Sequence, residues 1–375
     1  MNDPLYTYSL CIALPLMTFF ATYFLAGRTP DKEIFNTYRT SRSIMGVALL
    51  LLTANYSVHL FFGIRFINVN AAILMNLVTY FLCYWLFSSA MMMLLDQHYM
   101  SRRRFAVHIA LWIAFSTCSW IVLLLLPKGV VQATGLTTLA IVLIAYGLLL
   151  SYRLVAAYRR AVKLFDDTHS DDLGAYIRWL SVFTYWAVIF GVGCGLLTFL
   201  PDKYIFIWIL SSIPFYIYLF CSYQNFLLFY EQVECAFESE QTITPNDDAA
   251  APADDESSSP AYYAEIAERI DAWVKADGYI QPRLTIKELA DILLTNRTYL
   301  SYYINSVLHT TYRDWITSLR MQYAKQQMTL FPDKKLTAIS EESGFLSPSH
   351  FMKAFKDREG CSPAKWRKQQ FGPQS

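Results

Sequence analysis

The stretch "ISEESGFLSPSHFMKAFKDREGCSPAKWR", residues 339–367, decides how the last third of this 375-residue chain is read. Ser347-Pro348 and Ser362-Pro363 each place a small hydroxyl residue ahead of a proline. That is the pattern of an N-cap followed by the first helical position, where proline's missing N–H sacrifices no hydrogen bond. Phe351 and Phe355 stand four apart, on one face of the helix that Ser347 begins. Thr337 reads as the cap of a preceding short helix that carries Ile339. A short helix, a tight turn and a second capped helix make the helix-turn-helix plan, whose second helix offers its exposed face to the major groove.

The same plan stands upstream. Thr285-Ile-Lys-Glu288 has the spacing of a capping box, Asn296 caps the next helix, and Thr311 caps a longer one that runs to about Met328. Leu289 precedes Leu300 and Ile304 as Ile339 precedes Phe351 and Phe355, with one extra residue in the second interval. Trp315 follows His309 by six residues, and Trp366 follows Gly360 by six, both in the role of core tryptophans. With Tyr262 to Lys275 as the first, the pattern predicts seven helices. Two tandem units joined by a long helix can reach successive major-groove faces, about 34 Å apart along the duplex.

From Leu284 to Gln369 these residues resemble the DNA-binding domain of AraC-type transcription regulators. Ile339 to Phe345 carries that family's Ile-x-x-x-x-Gly-Phe run, followed by Ser347, Phe351, Phe355-Lys356, Gly360, Pro363 and Arg367. The chain departs from the family at His309, where a helix-ending glycine is usual, at Ser340, where alanine is usual, and at Leu293-Leu294, in a turn that often holds glycine. The resemblance implies DNA-facing positions at Arg297, Thr298, Ser301, Tyr302 and Asn305 on the first recognition helix. On the second it implies Pro348, Ser349, His350, Lys353 and Lys356. Lys353 suits guanine O6 and N7, Asn305 and Ser301 suit adenine or phosphate, and Thr298 suits a thymine methyl. Arg297, Tyr302, His350 and Lys356 suit phosphate, which positions a domain without specifying sequence.

The rest of the chain is of another kind. Hydrophobic residues make up 55% of the sequence and charged residues 16%, a balance typical of membrane proteins. Seven stretches contain no Lys, Arg, Asp or Glu: 4–27, 43–64, 66–95, 105–127, 129–152, 179–201 and 204–230. Each is long enough as helix to cross a hydrocarbon core of about 30 Å. The first lacks a basic leader and is interrupted by Pro15, so it reads as a span rather than a cleaved signal peptide. Loops one, three and five hold twelve Lys and Arg, and loops two, four and six hold three, namely Arg65, Lys128 and Lys203. The positive-inside rule then puts the N-terminus outside and everything after Tyr230 in the cytoplasm, where DNA is.

Asn55, His59, Asn76 and His108 are the polar groups expected at depth in the spans. They read either as a ligand site or as hydrogen-bonding glue between helices. The seven cysteines form no CxxC pair and no Cys/His set with metal-ligand spacing, so neither a metal nor a cofactor is expected. Nor do the spans carry HExxH, GxSxG or paired carboxylates, so the expectation is a protein that is not an enzyme.

Residues 231–260 hold nine Asp and Glu and no Lys or Arg, whereas 261–375 hold 16 Lys and Arg against 12 Asp and Glu. The acidic, Ala-, Ser- and Pro-rich segment reads as a flexible tether. The expected architecture is therefore all-α: a seven-transmembrane-helix bundle over 1–230, a linker over 231–260, and a seven-helix domain with two helix-turn-helix units over 261–375. The function expected is a one-component regulator in a bacterial cytoplasmic membrane. Its alternative is an interaction protein that docks on a partner membrane protein and tethers the DNA-binding domain. The partners expected are double-stranded DNA and the lipid bilayer, with RNA polymerase, a second copy of the chain, and a small-molecule or membrane-protein signal as further candidates.

Overall fold

The computed structural model describes residues 4–96, 99–171, 174–197, 199, 202–241 and 260–371. Helices account for the regular structure of the described residues, and their one β-type contact is an isolated antiparallel bridge between His169 and Thr285. The chain divides into two compact units. One comprises Met1–Arg160 with Ile177–Glu234, the other Ala161–Tyr176 with Cys235–Ser375.

The helices before the acidic segment are α1 (Pro4–Ala26), α2 (Asn36–Phe62), the short α3 (Ile64–Ile67), α4 (Val69–Met93), α5 (Arg102–Leu124), α6 (Val130–Thr168), α7 (Gly174–Leu197) and α8 (Asp202–Gln241). Most of each of the seven predicted apolar stretches falls on one of the long helices; 43–64 and 66–95 also reach α3, and residues 198, 200 and 201 of the sixth stretch lie outside the described residues. Six of the long helices, all but α7, are long and apolar enough in their described residues to cross a membrane. Many side chains of α7 lie outside the described residues. The buried face of the first unit is aromatic. Phe81 stacks on Phe115 at 4.6 Å and on Tyr146 at 4.1 Å. Beside α8 the polar atoms are paired off in series. Tyr38 donates to the Tyr223 carbonyl (2.9 Å), the Tyr223 phenol to Ser41 (2.9 Å), and the Ser41 hydroxyl to the Ala90 carbonyl (2.6 Å).

The second unit contains the end of α6 from Ala161, then α9 (Pro260–Lys275), α10 (Ile286–Ile292), α11 (Arg297–Tyr302), α12 (Tyr312–Leu330), α13 (Leu336–Glu342), α14 (Pro348–Glu359) and α15 (Pro363–Phe371). The seven helices α9 to α15 enclose two hydrophobic cores. Leu289, Leu300 and Ile304 lie in the first, and Ile339, Phe351 and Phe355 in the second, all six fully buried. The long α12 serves both, giving Tyr312 and Ile316 to one core and Met321, Ala324 and Met328 to the other. Trp315 and Trp366 pack against the first and second cores respectively.

The caps explain where these helices begin. The Thr285 hydroxyl accepts the Glu288 N–H (3.2 Å) while the Glu288 carboxylate accepts the Thr285 N–H (2.8 Å), a closed capping box. Asn296 accepts from Tyr299, Thr311 from Asp314, Ser347 from His350 and Ser362 from Lys365. Thr337 does not cap. The helix α13 starts at Leu336 after Lys335, with no side-chain cap bond, and Thr337 lies inside it. The Arg367 guanidinium donates to the carbonyls of Pro332 and Lys334 (2.9 and 2.8 Å), which fixes the approach to α13 and seats Leu336 on the second core. Within the predicted linker, residues 231–241 continue α8, and 242–259 lie outside the described residues.

Candidate nucleic-acid interface

The two helix-turn-helix units repeat each other down to single hydrogen bonds. In the first turn the Thr295 N–H donates to the Ala290 carbonyl (3.0 Å), and in the second the Phe345 N–H donates to the Ser340 carbonyl (3.1 Å). Leu293 to Leu289 (2.9 Å) matches Ser343 to Ile339 (3.0 Å), and Leu294 to Asp291 (3.2 Å) matches Gly344 to Glu341 (3.0 Å). Leu294 and Gly344 both adopt the left-handed conformation, at φ 52° and 79°. So do His309 and Gly360, each the residue that closes its recognition helix, at 52° and 70°. The positions where the first unit departs from the family's glycines thus keep the glycine backbone geometry with a side chain attached.

At Gly344 no side chain fits. A Cβ there would come within 2.2 Å of the Ile280 carbonyl oxygen, so positive φ and a backbone crossing both demand glycine. Leu294 faces solvent with 80% of its surface exposed. Its strained turn is held by Arg269, whose Nη1 donates to the carbonyls of Leu293 and Leu294 (2.9 and 3.0 Å). The recognition helices differ as well. In the second unit α14 is regular from Pro348 to Glu359, whereas in the first α11 passes into a π-helical turn over Tyr303–Val307. Such turns accommodate an extra residue and recur at functional sites.

The DNA-facing positions implied by resemblance lie off the buried stripes. Tyr302, Asn305, Ser349, Lys353 and Lys356 are exposed, and Arg297, Thr298, Ser301, Pro348 and His350 are half-buried. Lys353 sits two residues from each of the two buried phenylalanines of α14, which directs it away from the core. Arg358 of α14 donates to the Asp314 carbonyl (2.8 Å), and Lys325 of α12 pairs with Glu359 (2.9 Å), tying the second recognition helix to the shared helix.

Beside the first unit lies a segment that carries no helix-turn-helix signature. The end of α6 and the residues after it, over 161–171, are built into this unit. The Arg313 guanidinium meets the Asp166 carboxylate at 2.6 Å. Arg320, 1% exposed, donates to the carbonyls of Tyr279 (2.8 Å) and Gln281 (2.6 Å), to the Ser170 hydroxyl (3.2 Å) and to the Asp171 carboxylate (3.3 Å). The Ser170 N–H donates to the Leu284 carbonyl (3.1 Å), beside the bridge between His169 and Thr285. Burial drives the Arg320 pKa down, and Asp171 opposes the fall. Burial, and then the positive charge of Arg297, hold the His169 imidazole down at about 4. Burial pushes the Asp167 carboxyl up, against the pull of Lys163 and Arg297. None of Asp166, Asp167, His169, Ser170, Asp171, Arg313 and Arg320 is placed at the interface by the sequence reading. The signal in the sequence is the run Asp166-Asp167-Thr168-His169-Ser170-Asp171, a polar, acidic segment in a loop otherwise marked by its arginines.

The four polar residues predicted at depth in the apolar helices do not form one cluster. His59 and Asn76 meet, with Nε2 to Oδ1 at 2.8 Å, and Tyr6 joins them through His59 Nδ1 at 3.0 Å. Asn55 donates instead to Thr79 (3.1 Å). His108 bonds the Tyr146 hydroxyl (2.8 Å) and stacks on Trp85.

Comparison with known proteins places a helix-turn-helix domain over residues 289–369. The chain is similar to the uncharacterized transcriptional regulatory protein YesN of Bacillus subtilis, 31% identical over 99 residues that cover 26% of this chain and 27% of YesN. It is also similar to the uncharacterized HTH-type transcriptional regulator YisR of the same organism, 35% identical over 101 residues that cover 26% of this chain and 34% of YisR. The likeness therefore spans about a third or less of either relative. No solved structure matches at a significant level. The matched residues are those of both repeated units, from Leu289 at the centre of the first to the last helix of the second, and residues 289–369 are a helix-turn-helix domain of the AraC type.

Proposed function

We propose that the chain is a membrane-anchored transcription regulator whose helix-turn-helix units bind double-stranded DNA on the cytoplasmic side. The repeat carries this reading: two helices, each closed by a left-handed residue and seated by an i, i+4 apolar pair, turn ten polar or small positions away from two separate cores. The regulatory role written in the names of YesN and YisR agrees with it. Anchoring rests on the long apolar helices, and orientation on twelve Lys and Arg in the odd loops against three in the even ones. Reporter fusions after Arg104 and Lys163 should report cytoplasm, and a fusion after Lys128 the outside. A cytoplasmic signal at Lys128 would break this topology.

Asn55, His59, Asn76 and His108 each bond a neighbour on another apolar helix, which supports helix packing, while the buried Asn55 Oδ1 has no partner and a small cavity lined by Tyr6, His59, Arg65 and Asn76 supports a ligand site. The packing bonds keep the alternative in view: a bundle that anchors the regulator and takes its signal from another membrane protein. Mapping the genomic DNA recovered with the full-length chain tests the main reading. It predicts enrichment of discrete sites in promoters, and enrichment no better than a Lys353→Ala, Ser349→Ala, Arg297→Ala variant would contradict it.

A further inference from the structure

We infer that segment 161–171 is an intramolecular clasp, competing with DNA for the basic end of the first helix-turn-helix unit. The inference rests on the proposed DNA-binding function and names its regulation. Three observations carry it. The clasp is docked rather than merely adjacent, because Asp171 and Ser170 help enclose the buried Arg320, and the Ser170 N–H completes a backbone bond to Leu284, the residue just before the Thr285 cap. It is acidic where the partner is basic. Asp166 pairs with Arg313 at 2.6 Å, and the charge of Arg297, the first residue of the recognition helix, is felt by both Asp167 and His169. Finally it is continuous with a candidate membrane span, since α6 is unbroken from Val130 to Thr168.

The consequences are electrostatic and mechanical. A phosphate approaching Arg313 meets a guanidinium already paired with the Asp166 carboxylate, which it must displace to gain the full benefit of the contact, and near Arg297 it meets the field of Asp167. Conversely, a shift of α6 carries Asp166 and Asp167 with it, because a helix transmits displacement along its axis. Any signal that moves this span then frees or shields the first unit. The second unit, whose recognition helix is tied to the shared helix and seated on its own core, keeps its DNA-facing surface throughout.

The test uses the full-length protein in lipid nanodiscs and a duplex recovered by the genomic mapping above. Asp166→Asn with Asp167→Asn should raise affinity for that duplex roughly fivefold or more, the range of an ordinary coupling between sites. Asp166→Cys with Arg313→Cys, joined by a reductant-cleavable bifunctional crosslinker long enough to span the former ion pair, should lower it by a similar factor, and reductant should restore it. Hydrogen exchange on the unsubstituted protein gives a readout free of folding artefacts, and adding the duplex should speed exchange at residues 166–171. Unchanged affinity in both variants, or unchanged or slower exchange at 166–171 on binding DNA, would overturn the clasp. A wild-type protein that binds no duplex from the mapping would overturn the proposed function itself, and the clasp with it.

Discussion

The two helix-turn-helix units of this chain share a plan and differ in how firmly it is fixed. The second is built from residues that prefer their conformations: Gly344 and Gly360 at the left-handed positions, Pro348 at a helix start and three phenylalanines in its core. The first reaches the same backbone with Leu294 and His309 at positive φ, a π-helical turn in its recognition helix, and outside help from Arg269, Arg313 and Arg320. Positive φ on a non-glycine residue costs of order 1 kcal/mol or more and persists only where surroundings enforce it. A unit that leans on its surroundings can be controlled through them, and the proposed clasp puts regulation on the first unit and steadier reading on the second.

The largest expected effect sharpens this contrast at Arg320. Arg320→Met leaves Asp171 buried without its charge partner and should cost about 3–5 kcal/mol. Adding Asp171→Leu should recover most of it. Hydrogen exchange over 260–371 would report both, and an unrescued double variant would mean that the carbonyl contacts to Tyr279 and Gln281 matter more than the ion pair. Gly344→Val comes next. Its Cβ meets the Ile280 carbonyl in a left-handed turn, so the second unit should lose roughly 3 kcal/mol and unfold first.

Lys353→Ala should leave the fold intact and weaken cognate binding by about 1–3 kcal/mol with relaxed preference at one base pair. A loss equal on cognate and scrambled duplexes, with a shallower salt dependence, would reassign Lys353 to phosphate. Acid should loosen the clasp by a similar or smaller amount. His169 titrates at about 4 in the folded protein and near its ordinary 6.5 when unfolded. Its contribution is therefore complete above pH 6.5 and is lost as pH falls from 6.5 toward 4. Acidifying from pH 7.5 to 5.5 should cost about 1 kcal/mol, and His169→Gln should flatten that slope. The smallest effect tests the premise of the comparison. Leu294→Gly should relieve strain and change stability by less than about 1 kcal/mol, in the stabilising direction if strain outweighs the added freedom of the unfolded chain.

Much of this architecture is legible in the residues. Apolar runs longer than a bilayer is thick can be little else than buried or spanning helix, and caps such as Thr285 with Glu288 or Ser347 with Pro348 announce helix starts locally. The Thr337 cap failed because Arg367, 30 residues away, fixes the approach to α13 and places its start one residue before the hydroxyl. The clasp was invisible for the same reason on a larger scale. Asp166 and Arg313, or Asp171 and Arg320, are brought together by tertiary docking across about 150 positions, and no periodicity or spacing records such a pairing. Of the membrane polar residues, the sequence indicates depth, but which ones meet depends on how the helices face one another.

Hydroxyl-radical footprinting of the full-length chain on a recovered duplex, wild type beside Asp166→Asn with Asp167→Asn, tests the division of labour between the units most directly. The account predicts two protected patches about one helical turn apart. The patch under the second unit should be equally strong in both proteins, and the patch under the first should deepen when the carboxylates are removed. Patches of equal depth in wild type and variant would contradict the regulatory contrast, and a duplex left unprotected by either protein would contradict DNA binding altogether.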